Sequence, residues 1–134
     1  VKGKLRSAGA LLAGFLLIVV LSTAVDIALH AAGVYPPLGQ PMSDPLALLA
    51  LSYRIAISIG GCYLTARLAP GRPMTHSLAL GVLGVAVSTI GTVVTWGRPE
   101  FGPVWYPLSL IAVSLPCGWM GGWLAGRGAQ PAPV

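Results

Sequence analysis

Charge is scarce in this 134-residue chain: 8% of its residues are Asp, Glu, Lys or Arg, and only three of those are acidic. Soluble domains carry about 25% charged residues, and so few charges cannot cover a water-exposed surface built from Leu, Val and Ala. The same apolar composition excludes a disordered chain. Cysteine is scarce too. Cys62 and Cys117 are too few for a disulfide scaffold, and both lie inside apolar runs, where a small buried packing residue is expected. The chain has no CxxC, no CxxCH, no P-loop and no GxGxxG. No Cys/His/Asp grouping has metal-ligand spacing, so no metal site is expected. The eight basic residues never cluster into an open patch, which argues against nucleic acid.

What is abundant is apolar. Hydrophobic residues make up 55% of the chain, and the mean hydropathy is +0.82. Four apolar runs of about 20 residues each match the thickness of a bilayer. They cover approximately residues 8–32, 45–68, 75–96 and 104–125. The expected architecture is all-α: one domain over residues 1–134, folded as a compact four-helix transmembrane bundle. The connections are rich in Pro and Gly, which punctuate helices. Asp44 followed by Pro45 predicts an N-cap with proline at the first helical position. The second joint, Ala69 to Met74, is so short that the second and third helices should be adjacent and antiparallel. Gly-Arg-Pro recurs at residues 71 and 97 as turn chemistry. The tail from Gly126 to Val134 is expected to fray. A basic start before the first apolar run also suits a signal peptide, but the apolar character continues through Ile27 to Leu29, which favours a retained helix.

Basic residues orient the bundle by the positive-inside rule. Lys2, Lys4, Arg6, Arg67, Arg72 and Arg127 fall on one side if both termini are cytoplasmic. Only Arg98 falls on the other, beside Glu100. An integral protein of a bacterial inner membrane, with both termini inside, is the expectation. Trp96, Trp105, Tyr106 and Tyr35 are expected at the outer interface and Trp119 and Trp123 near the inner one; the alternative for such rings is packing between helices, with Trp119 the first candidate.

An ionisable residue inside a membrane span is a functional candidate by default. Ser22, Asp26 and His30 share one face of the first helix, at spacings of four. Arg54 heads a similar stripe on the second helix, with Ser58, Gly61 and Thr65. Asp26 lies roughly 6–9 Å and Arg54 roughly 12–14 Å below the outer boundary at 1.5 Å per residue. An Asp26–Arg54 ion pair is therefore expected, with Tyr53 or His30 nearby. The pair fixes helix register, or it forms an outward-opening proton or anion site with His30, or it pairs in trans. His30 and His76 lie at opposite faces, about 30 Å apart, and cannot share a haem. His76, just after Pro73, is expected at the membrane surface.

Small residues supply the packing faces. Gly118, Gly122 and Gly126 repeat a GxxxG spacing, and Gly84 and Ser88 add a second face, so these five are expected at helix packing surfaces or an interface. Pro116 should kink the fourth helix. No catalytic residue emerges and an enzyme is not the leading expectation; the residues select no cofactor. The expected function is a non-catalytic subunit or assembly component of a membrane complex, touching lipids and a membrane-protein partner or a second copy. The alternative is a small homo-oligomeric transporter or channel with Asp26, His30, Arg54 and Tyr53 as its polar site.

Overall fold

The computed structural model describes residues 2–37, 39–98 and 101–128. The protein is an all-α four-helix bundle: α1 (Lys2–Ala31), α2 (Asp44–Leu68), α3 (Pro73–Thr95) and α4 (Trp105–Gly128). All four helices are long and apolar enough to cross a membrane, and the chain is a polytopic integral membrane protein. The helices alternate in direction. The α1–α2 and α3–α4 connections lie at one end, called here the loop end. The other, the terminal end, carries the start of α1, the end of α4 and the α2–α3 joint.

Several boundaries differ from expectation. Helix α1 begins at Lys2 rather than near residue 8, because Lys and Arg are good helix formers and the first turns need not lie in hydrocarbon. Its 30 residues span about 45 Å at 1.5 Å each, more than a hydrocarbon core of about 30 Å. The N-cap of α2 is Ser43, one residue before the expected Asp44, and its side chain makes no capping bond. Helix α4 continues to Gly128, so the first three residues of the expected tail are helical. The rest of that tail, and Glu100 beside Arg98, lie outside the described residues. Helix α4 runs without interruption through Pro116.

Helix neighbours are set by where small residues allow close approach. The most extensive contact is between antiparallel α3 and α4, followed by α2 with α4 and α1 with α2. Helices α2 and α3 do touch, but less, so the short joint between them fixes direction without making them the main pair. Helix α4 sits against both instead. A Cβ on Gly118 would lie 2.9 Å from the Ser77 carbonyl oxygen, and one on Gly121 would lie 2.6 Å from the Tyr63 nitrogen. The two faces of α4 thus approach α3 and α2 at backbone distance. Ser77, fully buried, donates its hydroxyl to the Gly118 carbonyl. Glycine does the same between α1 and α2: a Cβ on Gly14 would lie 2.6 Å from the Gly61 carbonyl oxygen. Beside it, Thr65 donates to the Ala10 carbonyl at 2.8 Å. Without a hydrophobic drive in lipid, such backbone contact and interhelical hydrogen bonds hold helices together.

Helix α1 is the outlier. It makes only slight contact with α3, which includes Gly14 facing Leu80 and Ser7 lying 2.8 Å from the His76 ring. It barely touches α4. Its mean hydropathy over the spanning window is 2.4, against 1.5 for α2 and 1.4 for α4. The helix with the fewest protein neighbours is therefore the one best suited to lipid.

Basic residues gather at the terminal end, where Lys2, Lys4, Arg6, Arg67, Arg72 and Arg127 are all exposed. Arg127 lies over the Trp123 ring at 4.9 Å and Arg67 over Tyr63 at 5.9 Å. Trp119 lies beside Trp123 and does not take the alternative of packing between helices. It is half exposed and stacks on Trp123 at 6.0 Å, because spacing of four on α4 places both rings on the outer face.

Candidate functional site

The polar residues of the spans meet at the loop end, between α1 and α2. Antiparallel packing through Gly14 and Gly61 sets Asp26 and Arg54 at matching depth. The Arg54 guanidinium forms an ion pair with one Asp26 carboxylate oxygen, and the Tyr53 hydroxyl donates to the other. A guanidinium does not lose its proton in a protein, so Asp26 has a permanent counter-charge. Each side chain of the pair is less than a third exposed. A lone Arg at mid-membrane costs about 3 kcal/mol on insertion scales, and the carboxylate offsets much of that.

Tyr35 completes the cluster, and its place differs from expectation. The sequence reading puts it at the membrane surface; it is buried, with 3% of its surface exposed. The reason is local. Gly33 takes a left-handed conformation (φ 77°) just past α1, its N–H bonds the His30 carbonyl, and the Val34 N–H bonds the Leu29 carbonyl. This pair of bonds is a Schellman cap, which turns the chain back over the helix end. Tyr35 thereby lands on α2, its hydroxyl 2.8 Å from that of Tyr53. Tyr53 gives its proton to Asp26, so Tyr35 donates to Tyr53. Burial raises the Tyr35 pKa above its ordinary value of 10.0. The signal for this is a lone glycine just past the end of the apolar run.

His30 is near the cluster but not in it. Its Nδ1 lies 2.8 Å from the backbone carbonyl of Asp26, not from the carboxylate, and its ring meets Tyr35 edge-on at 5.2 Å. A direct His30-to-Asp26 proton transfer has no contact to run through here. Tyr106, in the first turn of α4, is half-buried and meets the Trp105 ring edge-on at 6.4 Å. Asp44 accepts a bond from the Trp105 indole at 3.2 Å, which ties the starts of parallel α2 and α4 together.

Beneath Arg54 lies a cavity of about 250 Å³ bordered by all four helices. Ser22 and Ser58, below Asp26 and Arg54 on their helices, line it, with Gly84 and Ser88 of α3 and Ser114 of α4. Cys62 and Cys117 form part of its wall; both are buried free thiols, as their apolar setting implied. Of the residues singled out for helix packing, Gly118 and Gly122 face α3, and Gly84 faces Ser114 of α4. Gly126 has open space around it, and Pro116 is exposed. His76 joins α1 to α3 through Ser7 at the terminal end, far from this site. Among the described residues, no group of three or more His, Cys, Asp or Glu is placed to hold a metal ion.

No family model, curated protein or solved structure matches this chain.

Proposed function

We propose that the chain is a non-catalytic component of a larger membrane assembly, joined laterally to another membrane protein. The observation that carries this reading is the division of its glycines. Gly14, Gly61, Gly81, Gly118, Gly121 and Gly122 meet a neighbouring helix, whereas a Cβ added at Gly9, Gly60, Gly91 or Gly126 would meet nothing within 4 Å. Glycine inside a helix is unfavourable by roughly 0.5–1 kcal/mol relative to Ala, and within a membrane its return is the close approach of another helix. Gly60 on α2 and Gly91 on α3 therefore support contact with helices outside this bundle. The Asp26–Arg54 pair fits the same reading as a clasp: both carboxylate oxygens are engaged by donors of the same chain. The basic terminal end supports a cytoplasmic location for both termini, in a bacterial inner membrane.

A small homo-oligomeric transporter or channel is the second reading, favoured by the cavity directly beneath Arg54. Native mass spectrometry of the protein, extracted gently from its own membrane, separates the two. A heteromeric mass is the expected result. A homo-oligomer alone overturns the subunit reading and moves the weight to transport, where substitution of Asp26 and His30 should alter the pH dependence of flux.

A further inference from the structure

We infer that the cavity beneath Arg54 binds a membrane-dissolved molecule with an apolar body and a hydrogen-bond-accepting oxygen, a carbonyl or a carboxylate. The inference goes beyond the assembly role and does not depend on it.

The first observation is Ser22. Hydroxyls on the spans of this protein usually bond the carbonyl four residues back, as Ser52, Thr89, Thr92, Thr95, Ser109 and Ser114 all do. Ser22 does not. It is 4% exposed, it lines the cavity, and its Oγ has no hydrogen-bond partner. The second is Arg54, which also lines the cavity and whose buried Nε is unpartnered although its terminal nitrogen holds Asp26. Buried polar groups are normally satisfied. An Arg Nε can only donate, and a serine hydroxyl can donate. Ser22 is one turn from Asp26, which holds Arg54, so both donors serve the same end of the cavity. Together they ask for an acceptor oxygen.

The third observation is the way in. Val19 and Val87 line the cavity and are also 43% and 44% exposed. They stand on α1 and α3, which make little contact with each other. The mouth between them opens sideways from a membrane span, where lipid and not water is the solvent. The rest of the lining is largely apolar, with Phe15, Ile18, Leu80, Leu110 and Val113. The volume equals about eight waters at ~30 Å³ each, enough for a compact molecule of about ten non-hydrogen atoms.

Cys62 and Cys117 provide the readout, since both line the cavity. The purified full chain in nanodiscs is treated with N-ethylmaleimide, and labelling of each thiol is followed by mass spectrometry. Three probes are compared: octanoate, 2-octanone and n-octane. The expected result is that octanoate or 2-octanone slows labelling at least fivefold while n-octane has little effect. Ser22→Ala should then raise the concentration needed for protection about tenfold, with unchanged thermal unfolding. Protection by octanoate alone assigns the site to carboxylates, and protection by 2-octanone alone assigns it to neutral carbonyls. Val87→Phe, which narrows the mouth, should slow labelling without any probe. The inference is overturned if neither oxygen-bearing probe protects, if n-octane protects equally, if Ser22→Ala changes nothing, or if neither thiol reacts in probe-free protein.

Discussion

At the terminal end of the bundle, Gly14 meets Gly61 and Gly118 meets Ser77 at distances where a single added methyl has no room. Towards the loop end a cavity opens among the four helices, and α1 and the turn after it are joined to α2 by Asp26, Arg54, Tyr53 and Tyr35. One end is held by close backbone contact with two hydroxyl bonds to carbonyls, from Thr65 and Ser77, and the other by a charged pair and its tyrosines. Close contact tolerates no intrusion. The polar end tolerates space but needs every partner present. A protein that must keep an opening within a membrane span has to give up backbone contact there, and a polar clasp supplies the register that contact no longer enforces.

The largest effect should come from intrusion at the tight end. Gly61→Leu would force a side chain against Ile18 and the Gly14 carbonyl. Overpacking commonly costs about 1–3 kcal/mol and sometimes more, and a backbone neighbour cannot yield, so a loss at the top of that range is expected in detergent unfolding. Next comes the clasp. Arg54→Leu should cost roughly 2–3 kcal/mol, below the ~3–5 kcal/mol of a fully buried broken pair because the side chains are partly exposed. Asp26→Leu combined with Arg54→Leu should recover part of that loss. Thermal unfolding of Arg54→Leu, Asp26→Leu and the double variant measures the coupling, and a near-wild-type Arg54→Leu would count against the clasp.

Tyr35→Phe removes one hydrogen bond and should cost about 0.5–1.5 kcal/mol. It also carries a pH signature. Burial raises the folded-state pKa of Tyr35, so its contribution is fully present below the unfolded value near 10 and is lost as pH rises beyond it. The fall in stability above pH 10 should therefore be shallower in Tyr35→Phe, as urea unfolding at stepped pH would reveal; an unchanged slope would place Tyr35 outside the clasp. The smallest effect is expected one residue from the largest. Gly60→Ala adds a methyl in open space and should leave the isolated protein unchanged or more stable by up to about 1 kcal/mol. If the same change dissociates a native complex, the face that bears Gly60 is the contact.

Much of this is legible in the chain because lipid imposes strong rules. The four spans follow from run length, and the depth match of Asp26 and Arg54 follows from rise per residue and antiparallel order. Cys62 and Cys117 are buried as their apolar neighbours imply. What the chain hides are contacts that depend on how helices rotate and turn. Tyr35 reads as a surface residue because its burial depends on the Gly33 cap. Trp119 admits both a surface and an interior reading, because rotation of α4 by its glycine faces is not visible in one helix. His30 shares a helical face with Asp26, yet its ring bonds the backbone of Asp26 and never reaches the carboxylate.

The amino-acid sequence by itself determined the class, the number of spans, their alternation and the clustering of basic residues at one end. Hydrocarbon admits only long apolar helices, and such helices reveal themselves one at a time. Tertiary structure alone decided that α4 packs between α2 and α3, that α1 packs mainly on α2, and that Ser22 and Arg54 share a cavity. Those outcomes depend on which small residues meet across helices, a property of pairs of segments that no single segment contains.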